Sequence, residues 1–296
     1  MNHNRLGTSD LHVSEVGFGC MSLGLDHDKN AQLLHRAFDA GVTFFDTADL
    51  YDYGENEISV GKAFKGMRDE VVIATKVGNR WTDETSWRWD ASRAWIEEAV
   101  VKSLRRLQTD YIDLYQLHGG TLDDLIDETI AAFESLKKAG HIRAYGISSI
   151  RPNVIREWVA RSEMTSVMMQ YSLLDRRPEE EALGLLEKND ISVIARGPVA
   201  KGLLAGKPAD EYLEHSQDEV AAVQRGLEDL TAPERSSAQI ALRYALGSPA
   251  VATVVPGASS QVQLEENVGA AGVELGAAEV EQLRDLAPAH QYTDHR

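Results

Sequence analysis

The sequence predicts a single α/β domain over residues 1–296, a (β/α)8 TIM barrel with an N-terminal hairpin and extra C-terminal loops and a helix. Three observations lead there. Short β-branched or aromatic runs alternate with longer stretches of helical period almost to the end of the chain, eight such runs occur, and no Pro/Gly/Ser linker or break in composition divides them. Strands that alternate with helices build parallel sheets, and eight of them favour closure into a barrel over an open doubly wound sheet.

In chain order, Asn4 to Glu15 reads as a hairpin around Ser9-Asp10 that closes one end of the barrel. Strands are expected at Val16 to Gly19, Val42 to Asp46, Val71 to Lys76, Ile112 to Leu117, Arg143 to Ile147, Ser166 to Gln170, Ile191 to Ala195 and Ala252 to Val255. Helices are expected at Asn30 to Ala40, Glu57 to Lys65, Ser92 to Leu107, Leu122 to Ala139, Asn153 to Ala160, Glu179 to Lys188, Ala238 to Leu246 and Gln261 to Val268. Ser92 to Leu107 is the clearest. Ser92 stands as its N-cap, Ile96, Val100, Leu104 and Leu107 recur at three- and four-residue steps, and Glu97, Glu98, Lys102 and Arg105 occupy the other face. Ala139-Gly140 supplies a helix stop.

Composition narrows the function classes. With 43% hydrophobic and 26% charged residues the chain is built for a globular core. No stretch approaches the ~18 uninterrupted apolar residues of a membrane span, and the start MNHNRLGTSDLHVSE has no basic segment followed by an apolar run. A cytoplasmic protein without a membrane partner is expected. The balance of 30 Lys+Arg against 47 Asp+Glu, net −17, repels phosphate backbones, so nucleic acid is not an expected partner. The single Cys20, in GFGCM, cannot form an internal disulfide and reads as packing. There is no P-loop, HExxH, Cys/His zinc spacing or GxSxG elbow, so no metal site is expected. GFGCMS lacks the third glycine of a dinucleotide-binding turn, which excludes a Rossmann reading.

In a barrel the chemistry belongs at the C-terminal ends of the strands. Asp46, Lys76, His118, Ser148, Gln170 and Arg196 all fall at or just past such ends, each on a different strand. Asp46 and Lys76 end neighbouring strands, where opposite charges satisfy each other; alone, such a pair is as often structural as catalytic. Tyr51 follows Asp46 by five residues in FDTADLYDYGENE and is placed to fold over the same mouth. A lysine ammonium beside a phenol favours phenolate and lowers its pKa from ~10 toward neutrality. Tyr51 then becomes a proton donor, with Asp46 holding Lys76 and a neutral His118 donating to a carbonyl oxygen. The four lack a source of electrons for the carbonyl carbon, so reduction requires a hydride-carrying cofactor, for which a nicotinamide is the fitting chemistry.

The segments GFGCMSLG, FFDTADLYDYGENE, ATKVG, SLRRLQTDYIDLYQLHG, KKAGHIRAYGISS, QYSLLDRR, VIARGPVAKGLLAGK and VPGASSQVQLEENV resemble the aldo-keto reductase family, bacterial type, in order and spacing over essentially the whole chain. The resemblance implies NAD(P)H-dependent reduction of carbonyls, with Asp46, Tyr51, Lys76 and His118 as the catalytic tetrad. It implies NADPH as cofactor, with NADH an alternative, and a small-molecule carbonyl substrate. Cofactor contacts implied in the same way are Gly19 and Met21 of the first segment, and Ser148 and Ser149, the latter standing where the family has Asn. Met168 stands where the family places a carboxamide-binding glutamine, and Gln170, two positions on and on the same side of the strand, is expected to take over. Arg196 stands where an aromatic residue usually stacks on the nicotinamide, a role a planar guanidinium also fills. Gly197, Pro198, Val199, Lys201 and Gly202 match the loop covering the pyrophosphate. Gly257, Ala258, Ser259, Ser260, Gln263, Glu266 and Asn267 match the segment for the adenosine half, without the Lys or Arg that often pairs with a 2′-phosphate at Ser259 and Ser260.

Substrate choice is expected from loops at the rim. Gly78 to Asp90 carries Trp81, Trp87 and Trp89 beside Asp83, Glu84 and Arg88, a candidate aromatic wall. Gly206 to Pro233 reads as a candidate mobile lid, partly disordered without cofactor. Two other classes stay open at this level: a barrel aldolase using Lys76 as a Schiff-base amine, against which pairing with Asp46 argues, and a nucleotide-binding regulatory subunit that senses redox state.

Overall fold

The computed structural model describes residues 1–83 and 86–296, so Glu84 lies outside the described residues. Eight parallel strands form one sheet: β3 (Phe18–Gly19), β4 (Phe44–Asp46), β5 (Val72–Val77), β8 (Ile112–Leu117), β9 (Ile142–Ser148), β10 (Ser166–Gln170), β11 (Ser192–Arg196) and β12 (Val251–Val255). The sheet closes on itself where Gly17 N donates to Val254 O at 2.8 Å and Gly19 N to Pro256 O at 3.1 Å. Strands β1 (His3–Arg5) and β2 (His12–Ser14) make the expected antiparallel hairpin, and β6 (Asn79–Trp81) pairs with β7 (Trp87–Trp89) after β5. Each barrel strand leads to a helix: α1 (His27–Asp39), α2 (Glu55–Ala63), α3 (Arg93–Leu107), α4 (Ile126–Lys138), α5 (Pro152–Arg161), α6 (Ala182–Lys188), α8 (Ser237–Leu246) and α9 (Gln261–Gly269).

Two helices lie outside the eight that follow the strands, α7 (Gln217–Glu228), which was not expected, and α10 (Ala277–Leu286), the expected extra C-terminal helix. The first corrects the reading of Gly206 to Pro233 as partly disordered. Ser216 caps α7 with a reciprocal box to Glu219, and Val220, Val223 and Leu227 are buried. The two added helices touch closely, because a Cβ at Gly226 would run into the side chain of Leu286.

The strand period of two decides what lines the barrel. Phe44, Ala74, Leu114, Ala144, Met168, Ile194 and Ala252 form one inner cluster, into which the hairpin inserts Leu6, Leu11 and Val13. The hairpin sits at the N-terminal end of the strands, where Gly7 N donates to Ser192 Oγ at 2.8 Å. Each large side chain so buried contributes roughly 1.5–3 kcal/mol. Two residues further along their strands, on the same inner side, come Asp46, Lys76, Gln116, Gln170 and Arg196. The apolar plug therefore ends where the polar mouth begins.

Candidate active site

Lys76 is the hub of the mouth and is fully buried. Its ammonium donates to both carboxylate oxygens of Asp46, at 2.8 and 2.7 Å, and to the carbonyl of Thr47 at 2.7 Å. An ammonium has three N–H groups, and these three short contacts compete for them with a fourth, longer one. The Tyr51 oxygen lies further off, at 3.5 Å. Burial alone would depress the Lys76 pKa, but Asp46 and Tyr51 outweigh it and hold the amine above its ordinary range, so it stays charged and non-nucleophilic. Burial likewise pushes the Asp46 carboxyl up, and Lys76 pulls it back only in part.

Tyr51 departs from the sequence expectation. Its phenol is raised above its ordinary value, because desolvation exceeds the downward pull of Lys76, and Asp46 opposes ionisation as well. With the ammonium committed to Asp46 and Thr47, the phenol keeps its proton.

His118 follows β8, its ring edge-on to Tyr51 with centroids 6.1 Å apart. Burial, then the charges of Lys76 and Arg196, take its pKa from 6.5 to about 3. The ring is therefore neutral at physiological pH and carries one N–H to donate. Below 6.5 the unfolded chain binds a proton that the native imidazole refuses, so this residue removes stability as pH falls from 6.5 toward about 3. A histidine NMR titration is expected to show the signals of His118, assigned with His118→Asn, unchanged between pH 5 and 8; a midpoint inside that window contradicts the electrostatics.

The loop carrying Tyr51 is held in an unusual backbone. Asp52, Tyr53 and Gly54 have φ of 47°, 57° and 92°, all left-handed. Beneath it Glu57, fully buried, accepts from Thr75 Oγ1 and Arg106 Nε, both at 2.6 Å. Arg106 lies so close to Gly54 that a Cβ there would sit 2.7 Å from its Cδ. Gly54→Ala is expected to destabilise the protein by about 1–3 kcal/mol and to lower turnover more than cofactor affinity, measured by urea unfolding and steady-state kinetics.

Around the rim, Gln170 and Arg196 meet: Arg196 donates to Gln170 Oε1 at 3.0 Å, and Gln170 Nε2 donates to Tyr212 Oη at 3.0 Å. Ser148 is partly exposed at the end of β9 and Ser149 is buried beside it. After β11 the backbone turns through left-handed conformations at Gly197, Ala200, Lys201 and Gly202, leaving Lys201 exposed beside Pro198 and Val199. Gly19 and Gly257 are tightly packed where the loops after β3 and β12 meet, since a Cβ would approach Val255 O at 2.8 Å or Ser22 Oγ at 2.9 Å. Met21 is 70% exposed nearby in sequence, and Ser22 Oγ donates to Ala258 O at 2.9 Å. Helix α9 starts beyond, its N-cap Ser260 accepting from Gln263 N, while Ser259 N and Oγ donate to Gln263 Oε1. Asn267 ties back to Gly257 O at 3.1 Å, and Glu266 is partly exposed.

A profile of the aldo/keto reductase family matches residues 15–288. The chain belongs to that family. It is 52% identical to an uncharacterized oxidoreductase of Bacillus subtilis (strain 168), YqkF, over 100% of both chains. Its fold superimposes with a TM-score of 0.95 on the holo form of the aldo-keto reductase AKR11C1 from Bacillus halodurans, at 52% identity and covering 100% of this chain and 99% of that one. It is 30% identical to an NADH-specific methylglyoxal reductase of Escherichia coli (strain K12), over 96% of this chain and 98% of that one. The protein is thus an NAD(P)H-dependent oxidoreductase. No helix among the described residues is long and apolar enough to cross a membrane, and no three or more His, Cys, Asp or Glu among them cluster to hold a metal.

In this aldo/keto reductase the three tryptophans of the β6–β7 hairpin differ in what they touch. Trp81 packs on Tyr53, from the Tyr51 loop, with centroids 4.3 Å apart. Trp89 covers Gly78 and Gly119 and donates its Nε1 to Asp124 at 2.7 Å. Trp87 is 51% exposed. Sequence reasoning missed Gln116, Tyr212 and the Glu57–Arg106 pair. Gln116 was signalled by a polar residue at an inward step of IDLYQLH, two before His118; Tyr212 lies in a stretch with no period to read.

Proposed function

We propose that this reductase converts aldehydes and ketones to alcohols with Tyr51 as proton donor, and that the single ammonium shared between Asp46 and Tyr51 beside a neutral imidazole is what carries the reading. His118 donates its N–H to the carbonyl oxygen and polarises it. Tyr51 delivers its proton to that oxygen, and Lys76 stabilises the phenolate left behind. Asp46 keeps Lys76 charged. A reduced nicotinamide supplies the hydride.

The residues present fit such a dinucleotide. Exposed hydroxyls of Ser259 and Ser260 at the start of α9 suit a phosphate, the left-handed turn at Lys201 offers a cation, and Gly19 and Gly257 let two loops pack tightly at the rim. Gln170, Arg196, Ser148 and Ser149 are assigned to the nicotinamide end, with Met21, Gly197, Pro198, Val199 and Gly202 along the covering loops. Ala258, Gln263, Glu266 and Asn267 are assigned to the adenosine half. NADPH is the first choice by family habit, and NADH stands as the alternative because no Lys or Arg is present at 259 or 260 to pair with a 2′-phosphate. Trp81 is assigned to the substrate wall through its packing on the Tyr51 loop, with Trp87 and Trp89 on the same hairpin.

The test is a panel of aldehydes, ketones and small dicarbonyls, methylglyoxal included, assayed with NADPH and with NADH by loss of reduced-cofactor absorbance. Turnover of several carbonyls with one of the two cofactors is expected. Tight cofactor binding with no turnover across the panel overturns the reading in favour of a regulatory, nucleotide-sensing role.

A further inference from the structure

One inward side chain of the mouth has no role in the tetrad. Gln116 lies on β8 in register with Lys76 on one side and Gly146 on the other, and it is fully buried. The cluster beneath it draws apolar residues from β4, β5, β8, β9, β10, β11 and β12, with Leu114 the residue of β8 that contributes. Neither amide atom of Gln116 completes a hydrogen bond of normal geometry. A buried amide left unpaired is costly, so a partner reached by a small adjustment of the side chain is expected. Gly146 carries no side chain to engage the amide, whereas Lys76, its register partner on β5, holds the Asp46 carboxylate, whose charge the amide also favours.

Lys76 has more acceptors than protons. Its three short contacts go to Asp46 twice and to Thr47 once, and the Tyr51 oxygen is the distant fourth acceptor at 3.5 Å. We propose that Gln116 is a positioning residue: its amide donates to one Asp46 oxygen, and one N–H of Lys76 is thereby released toward the Tyr51 oxygen. The amide sets how strongly the ammonium acts on the phenol without touching substrate. This inference rests on the assignment of Tyr51 as proton donor.

The test is Gln116→Met, which keeps length and volume but removes the donor, with Gln116→Asn, whose amide is one methylene short, as the second variant should the first fold poorly. In the cofactor-free protein the Tyr51 phenol is titrated by ultraviolet difference against Tyr51→Phe. Its midpoint is expected to rise by about one pH unit, and by less in Gln116→Asn. In turnover, the alkaline limb moves the same way and kcat falls about tenfold, with cofactor affinity unchanged. A phenol midpoint and alkaline limb at wild-type positions overturn the proposal. So does a parallel loss of kcat, cofactor affinity and thermal midpoint, which marks the amide as packing only. If the wild type reduces no carbonyl yet the phenol midpoint moves, the reaction assignment fails and the placement of Gln116 stands; if Tyr51→Phe abolishes reduction and Gln116→Met changes nothing, the reverse holds.

Discussion

Replacing Tyr51 with Phe is expected to lower kcat for carbonyl reduction by about three orders of magnitude while leaving the affinity for reduced nicotinamide within about twofold. The asymmetry follows from position. The phenol oxygen is 3.5 Å from the Lys76 ammonium and its ring stands edge-on to His118, so the hydroxyl points into the same corner that would receive a carbonyl oxygen. Phe keeps the ring, its contact with the ammonium and its packing, and removes the proton that the proposed reaction uses. Among the described residues of the tetrad no other group offers a proton there. Asp46 is bound to Lys76 through both oxygens, and His118 loses its extra proton only near pH 3, so it has none to spare at neutrality. Equal losses in turnover and cofactor affinity would place Tyr51 in binding.

Lys76→Met is expected to have the largest effect on the folded protein itself. The ammonium is fully buried and supplies the hydrogen bonds that satisfy both oxygens of Asp46. Removing one member of a buried ion pair leaves the other desolvated and alone, which costs about 3–5 kcal/mol. Turnover is lost as well, since nothing then stabilises the phenolate form of Tyr51. The stability part is separable. Pairing the change with Asp46→Asn removes the stranded charge and should recover much of the unfolding free energy in urea, and none of the turnover. If the single variant unfolds at the wild-type denaturant concentration, the pair does not support the mouth as described.

The barrel was legible because its signals are local and redundant. Ile112–Leu117 and Ser166–Gln170 appear to the residue where β-branched and apolar runs predict them, and Ser92 caps α3 by accepting from Trp95 N. Helix α7 was harder, because acidic residues dilute its apolar period, although Ser216 and Glu219 spell a capping box. The β6–β7 hairpin pairs Trp81 with Trp87 across a register that short, charged runs do not announce. At the site, strand ends and charge signs named Asp46, Lys76 and His118. The acidity of Tyr51 was not readable, because it depends first on how deeply the folded mouth buries the phenol and then on how the Lys76 ammonium divides its contacts. One of these is the backbone carbonyl of Thr47, and no side-chain pattern reveals it.

The most direct test of carbonyl reduction is to follow a label. An aldehyde accepted by the enzyme is reduced with nicotinamide cofactor carrying deuterium on the transferred position at C4, in ordinary water, and the alcohol is examined by NMR and mass spectrometry. Direct hydride transfer predicts one deuterium on the carbinol carbon of each product molecule. Product whose carbinol carbon carries hydrogen from water, with the deuterium retained in the cofactor, would contradict it.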